Sequence, residues 1–215
     1  MHVVITGASR GIGAELARLY RDAGHEVSGT ARCATETLLA LDVTQPEDHA
    51  ALATALDGKP VDLLVCNAGI YADKGQNLAG GFAPDLWAET FATNVTGVFL
   101  TIQALLPLLQ GTQPGKIAIL SSRLGSQDLA KGGSYIYRAS KAAALNLGRN
   151  LSVDLEPLGI PVGIYHPGWV RTDMGGAQGE IGVEESAAGL KREFEALSLA
   201  TTGAFRTWDG RDLPF

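Results

Sequence analysis

Cysteine is scarce in this chain: of 215 residues only Cys33 and Cys66 carry a thiol. Two lone cysteines make neither a disulfide framework nor a thiolate metal pattern, and a reducing cytoplasm is the expected setting. The four histidines show no ligand spacing, so no metal is expected. Positive charge is short as well. Seventeen Lys and Arg stand against 23 Asp and Glu, a net charge of -6. Nucleic-acid surfaces need clustered cations, so no nucleic-acid partner is expected. No apolar run approaches the roughly 18 residues of a membrane span, and the chain enters a strand-like run at its second residue, so no signal peptide is expected. Repeats, linkers and low-complexity tracts are missing. What is present is ordinary: 46% apolar and 19% charged residues. That suits one domain over residues 1–215 with a sizeable core.

Strand-like and helix-like stretches alternate along the chain. His2 to Thr6 is a short β-branched run, followed at once by Gly7-Ala-Ser-Arg-Gly-Ile-Gly13 and then a helical pattern from Ala14 to Ala23. Glycines between a strand and a helix are the context of a dinucleotide site. The spacing is Gly-x-x-x-Gly-x-Gly. Glycine permits a tight turn and close backbone approach, and a helix N-terminus offers free N–H groups to a pyrophosphate.

Glu26 to Ala31 reads as a second strand, which should end beside an adenosine ribose. An acidic residue there would repel a 2′-phosphate. The chain places Arg32 there instead, a bidentate phosphate partner, with Arg10 in the glycine loop within reach of the same group. The pair favours NADP(H) over NAD(H), unless either is only a solvated surface charge. The third strand, Thr37 to Asp42, follows too soon for a usual crossover helix. Asp42 is either an acceptor for an adenine amino group or a turn residue before the helix starting near Pro46.

Further strands are read at Val61 to Cys66, Lys116 to Ser121, Pro161 to Tyr165 and Gly203 to Trp208, with Asp209 to Arg211 a turn. Tyr71 to Gly81 reads as a loop. Helices are read at Pro84 to Gln110, from Tyr137 through Leu155, and at Glu184 to Leu197. Asn67-Ala68-Gly69 ends the fourth strand in a turn small enough to pass close to a ligand. Asn94, among apolar residues, must be hydrogen-bonded. It either orders water and backbone at the site or is a plain structural anchor. The fold expected is a doubly wound α/β domain of the Rossmann type, its sheet mostly parallel with helices on both faces.

Tyr137 and Lys141 are four residues apart and share a helix face. A nearby ammonium lowers a phenol's pKa, and a phenol so tuned exchanges a proton with a carbonyl or alcohol oxygen. The same spacing also arises on any amphipathic helix. A lone His166 at a strand end is either a pocket residue or structural. Tyr71, Tyr135, Trp169 and Met174 are further pocket candidates.

Taken in order, Thr6 to Gly13, Asn67-Ala68-Gly69, Asn94, Ser122, Tyr137-x-x-x-Lys141 and Pro167-Gly168 to Thr172 resemble the short-chain dehydrogenase/reductase superfamily over nearly the whole chain. Residues 120 to 176 look most like the C-factor and Sniffer-type carbonyl reductase branch. The resemblance implies an NADP(H)-dependent oxidoreductase that interconverts a ketone or aldehyde and an alcohol. Tyr137 would be the general acid/base. Lys141 would lower its pKa and hold the nicotinamide ribose. Ser122, chosen over Ser121, Ser126 and Ser134 because Ser-x-x-Gly fits Ser122 with Gly125, would position the carbonyl. Asn94 would hold a relay water. The cofactor would lie on Gly7, Ser9, Arg10, Gly11, Ile12 and Gly13, then Arg32, Asp42, Val43, Asn67, Ala68 and Gly69. Tyr137, Lys141, Pro167, Gly168, Val170 and Thr172 would complete it, with Thr172 near the carboxamide.

Two departures stand out. The crossover after Arg32 is nearly absent, and the segment Asp173 to Val183 is short for a substrate lid. A short lid implies an open pocket, a bulky substrate or a cover from a partner subunit. A homodimer or homotetramer through the two long helices is expected, with a small carbonyl or alcohol substrate. The C-factor likeness also admits a nucleotide-sensing or signalling module with little turnover. An epimerase or dehydratase would need a substrate domain for which 215 residues leave no room.

Overall fold

A computed structural model describes residues 1–111 and 113–215. Seven parallel strands form one sheet in the order β3-β2-β1-β4-β5-β6-β7. They are β1 (His2–Ile5), β2 (Glu26–Ala31), β3 (Leu38–Ala40), β4 (Leu63–Cys66), β5 (Lys116–Leu120), β6 (Val162–His166) and β7 (Phe205–Thr207). The helices are α1 (Gly11–Asp22), α2 (Pro46–Ala55), α3 (Pro84–Phe91), α4 (Gly97–Leu109), α5 (Tyr135–Leu155) and α6 (Val183–Ala196). The expected doubly wound α/β fold is what forms.

Strand side chains alternate between two cores, as the period of two requires. Val4, Leu64, Ile117 and Ile119 face α2 and α4, where Leu52, Val98, Ile102 and Leu105 meet them. Val3, Ile5, Leu63, Val65, Ala118 and Leu120 face α1 and α6, against Leu16, Tyr20, Leu190 and Phe194. Both faces are covered, which is why these strands read as continuous apolar runs.

Most expected elements appear with ends shifted by a few residues. Three differences carry meaning. Helix α1 begins at Gly11 rather than Ala14, so two of the loop's glycines belong to its first turn. No helix joins β2 to β3; residues 32–37 cross directly. Third, Pro84 to Leu109 is one helical rod interrupted by a π-helical turn, Ala92–Thr96. Counted as a unit of 26 residues, it is long and apolar enough by length and composition to cross a membrane. The expectation concerned uninterrupted apolar runs, and the rod meets the measure only with its polar residues counted in. Thr90, Thr96 and Asn94 break the apolar run in sequence, whereas in the fold Val98, Ile102, Leu105 and Leu109 seal one face of the rod onto the sheet.

The order of strands reverses between β1 and β4. In open α/β sheets ligands bind outside the carboxyl ends of the strands at such a point. The glycine loop follows β1, Asn67–Gly69 follow β4, Ser121 and Ser122 follow β5, and Pro167–Gly168 follow β6.

Candidate active site

The glycine loop is shaped for close approach. Gly7 and Gly11 adopt φ of +67° and +56°, the left-handed region that favours glycine. A Cβ at Gly13 would run into the Gly7 carbonyl and sit 2.5 Å from Asn67 Nδ2. Arg10 occupies the N-cap of α1 without a side-chain cap bond, so no side chain fills the helix's positive end. These features fit a pyrophosphate.

Three side chains expected to touch a dinucleotide do other work. Asn67 Nδ2 donates to the carbonyls of Thr6 and Gly7, both at 2.9 Å, so it braces the glycine turn. Val43 lies in the core, leaving only its backbone for a base. Arg10 donates to Asp173 at 2.6 Å, both side chains exposed; the pair bridges the glycine loop and the segment after Thr172. That segment also abuts the loop directly, since Thr172 Cγ2 lies 3.5 Å from the Cβ position of Gly11. Thr6 was missed: its hydroxyl accepts from Asn67 N and Ala68 N at 3.0 Å, tying β1 to β4.

Asp42 is a turn residue in this structure. Its Oδ1 accepts from Thr44 N and Oγ1. Those bonds, with smaller help from the Arg32 and His49 charges, hold its carboxyl below the usual range. Arg32 is exposed just past β2, where a 2′-phosphate is expected.

At the other end of the cleft, Tyr137 and Lys141 are buried on α5, with Ser122 buried beside them at the end of β5. Among the four candidate serines, three hydroxyls are engaged elsewhere. Ser121 Oγ donates to the Lys141 carbonyl, Ser126 Oγ to Phe215, and Ser134 Oγ pairs with Tyr71. Ser122 Oγ accepts from Leu124 N at 3.1 Å and interacts with the Tyr137 phenol.

The electrostatics differ from the expected pairing. Burial pushes the Tyr137 phenol up to about 12, against a partial lowering by Ser122 and a further push from Tyr71. The Lys141 ammonium is 5.7 Å from the ring centroid and donates to the Leu120 carbonyl at 2.9 Å. Burial also brings Lys141 itself down to about 8. Burial is the largest cause for both groups.

Asn94 is 1% exposed and sits in the π-helical turn. Its Oδ1 accepts from Ile70 N at 2.9 Å, and its Nδ2 donates to Ile70 O and Ser140 Oγ. The polar-anchor reading is the one these bonds express. They hold Gly69 near Lys141, whose Nζ is 3.4 Å from the Gly69 Cβ position.

The pocket candidates divide. Tyr71 stacks on Tyr137. Tyr135, Trp169 and Met174 are about 40% exposed, and Trp169 Nε1 closes onto the Gly175 carbonyl. His166 is buried near Arg123, Asp209 and Arg211, and burial takes it down to about 3, which fits a structural group. The short lid is folded rather than open: Val170 bridges Ile181, and Lys74 Nζ holds the Met174 carbonyl. A separate cleft of about 680 Å³, between the C-terminal half of α5 and β7, contains none of the candidate residues.

The family model for short chain dehydrogenases matches residues 1–180. The C-signal protein of Myxococcus xanthus is 36% identical over 77% of this chain and 99% of its own length. A 1-hydroxy-2-glutathionyl-2-methyl-3-butene dehydrogenase from Rhodococcus sp. (strain AD45) is 35% identical over 97% of this chain and 96% of its own. An NADPH-bound carbonyl reductase from chicken fatty liver superposes with a TM-score of 0.90 at 29% identity, covering 100% of this chain and 98% of that one. The chain belongs to the short-chain dehydrogenase/reductase family of oxidoreductases, in the branch that holds carbonyl reductases and the C-factor.

Proposed function

We propose that this protein is an NADP(H)-dependent reductase that interconverts a ketone or aldehyde and an alcohol. The observation that carries the reading is the burial of Ser122, Tyr137 and Lys141 together, with Lys141 Nζ 3.4 Å from the Cβ position of Gly69, in the same turn as the Asn67 that braces the glycine loop. A bound nicotinamide supplies hydride chemistry; the protein supplies orientation, electrostatics and the proton. Tyr137, protonated through neutral pH, gives its proton to the carbonyl oxygen in reduction and takes one back in oxidation. Ser122 donates to the same oxygen. Lys141 holds the ribose and offers positive charge. Asn94 braces the strand end that Lys141 lies against. Arg32 receives the 2′-phosphate. We place the protein in the cytoplasm as a homodimer or homotetramer, built on the outer faces of α4 and α5 where Phe99 and Val153 stand exposed.

The kinship with the C-signal protein favours a second reading, a nucleotide-sensing protein with little turnover. Following the loss of NADPH and NADH absorbance against a panel of aldehydes and ketones separates the two. The reductase reading expects turnover with NADPH, lowered about 10²- to 10⁴-fold in Tyr137→Phe, as for loss of a general acid, with NADPH binding retained. Tight NADPH binding without turnover on any panel member supports the sensing reading.

The pH profile adds a sign. Lys141, lowered from 10.5 to about 8, is charged below pH 8 and loses its charge as pH rises through that value. Reductive kcat/KM should therefore fall on the alkaline side of about pH 8.

A further inference from the structure

The N-terminus of α5 is capped from far away in sequence. Ser134, at the N-cap position, lies in the left-handed region with φ +48° and makes no side-chain cap bond. The first-turn amides are met instead by Asp73, 63 and 64 residues upstream. Its Oδ2 accepts from Ile136 N at 2.9 Å and its Oδ1 from Tyr137 N at 3.2 Å. Asp73 has no exposed surface. A buried carboxylate is costly unless it is fully hydrogen-bonded. Here two amides and the positive end of a 21-residue helix stabilise it.

Two residues earlier, Tyr71 lies flat on the ring of Tyr137, with centroids 4.2 Å apart and planes 18° apart. Its hydroxyl pairs with Ser134 Oγ. Thus the three residues Tyr71-Ala72-Asp73 grip the backbone amide of Tyr137, one face of its ring and the residue that opens its helix. A cap alone would not require a stacked ring, and a pocket wall alone would not require a buried carboxylate.

We infer that Asp73 is a positioning residue for proton transfer and that Tyr71 is its companion ring clamp, fixing where the Tyr137 hydroxyl points. The inference rests on the reading of Tyr137 as the proton-transfer group. A displacement of about 1 Å at a reacting group can cost about 10²-fold in rate, so holding the first turn of α5 is a kinetic requirement as well as a structural one.

The test compares Asp73→Ala, Asp73→Asn, Tyr71→Leu and Tyr137→Phe with the unaltered protein. The readouts are the melting temperature, the NADPH dissociation constant from nucleotide fluorescence, and kcat against pH on the panel carbonyl turned over fastest. A readout that needs no turnover is an ultraviolet difference titration of the Tyr137 phenolate against Tyr137→Phe. Asp73→Ala should lose about 10²-fold in kcat, while NADPH affinity stays within roughly twofold. Asp73→Asn, which keeps one acceptor, should recover part of the loss. The phenol's titration should move downward in Asp73→Ala, because a loosened first turn admits water to a group that burial holds up.

A folded Asp73→Ala with unaltered kcat and an unmoved titration overturns the inference. So does a parallel fall of kcat and NADPH affinity with the titration unmoved, the mark of general support. Should Asp73→Ala fail to fold, Asp73→Asn and Tyr71→Leu, which removes the stacked ring, decide: unaltered kcat and titration in both overturns it. Turnover surviving in Tyr137→Phe overturns the underlying reading instead; an inactive Tyr137→Phe beside an unaffected Asp73→Ala overturns only the clamp.

Discussion

Among the helices that begin at the carboxyl end of the sheet, α1 and α5 have N-termini treated in opposite ways. The start of α1 has no side-chain cap and is walled by glycine. The start of α5 is plugged by the buried carboxylate of Asp73. Both ends carry the same partial positive charge and the same orphan amides. One is left to receive an anion from outside; the other takes its anion from the chain and is thereby fixed. The difference teaches how one architecture produces both a binding end and an aiming end. Openness is made by removing side chains, and rigidity by importing one.

Filling the open end is the most damaging way to break this contrast. In Gly13→Val the new side chain meets the Gly7 carbonyl and the Asn67 amide, neither of which can move without disturbing β1 or β4. Overpacking of this kind costs about 1–3 kcal/mol, and here it also closes the space a pyrophosphate needs. NADPH affinity measured by fluorescence titration should fall by more than the loss of stability explains. A variant that melts lower yet binds NADPH normally would remove the glycine cradle from the binding site.

A middle-sized effect is expected where the two ends are joined. Asn94→Ala leaves Ile70 N and Ile70 O without their partner; Ser140 Oγ loses the bond it accepts but still donates to the Tyr137 carbonyl. At about 1–3 kcal/mol for each unpaired buried group, less where water reaches Ile70, the summed loss is on the order of 3 kcal/mol. For a chain of this size that is a fall of about 10 °C in Tm. Thermal unfolding followed by circular dichroism checks it. A relay role for Asn94 would lower kcat further than this loosening explains; a loss confined to stability would leave it the anchor that its bonds describe.

The open end was legible in the sequence because its parts are contiguous. Gly7, Gly11 and Gly13 stand between a strand and a helix, and glycine is the residue that such a turn demands. Tyr137 and Lys141 were legible because one helical turn separates them. The plugged end was not. Asp73 stands in a polar loop and reads as surface until the fold brings it against α5. Local pattern carries no signal for a cap supplied from more than sixty residues away. The upward push of burial on the Tyr137 phenol was hidden for a related reason. Spacing states that two groups are near each other, but burial depends on everything else packed around them, and here burial prevails. Arg10 shows the same limit. Its place in the loop pointed to a phosphate, whereas the fold offers it Asp173.

In the proposed NADP(H) reading Arg32 would bear the cofactor preference, with Arg10 paired to Asp173, and this sharpens the contrast at its outer edge. In that reading the open end would take a pyrophosphate through backbone, which any dinucleotide can use. Discrimination must come from a side chain beyond it. Arg32 follows β2 in the place where an acidic residue would select a ribose hydroxyl, and its charge is felt at Asp42. In Arg32→Glu the ratio of kcat/KM for NADPH over NADH should fall roughly tenfold or more, since charge-assisted hydrogen bonds to phosphate are replaced by repulsion. The effect should shrink as salt is raised, because the side chain is exposed. Performing the same comparison on Arg10→Ala decides whether the Asp173 partner is permanent. An unchanged ratio there, beside a changed ratio in Arg32→Glu, leaves Arg10 to the lid and Arg32 to the phosphate. The reverse result would mean that Arg10 exchanges Asp173 for the cofactor when the cofactor binds.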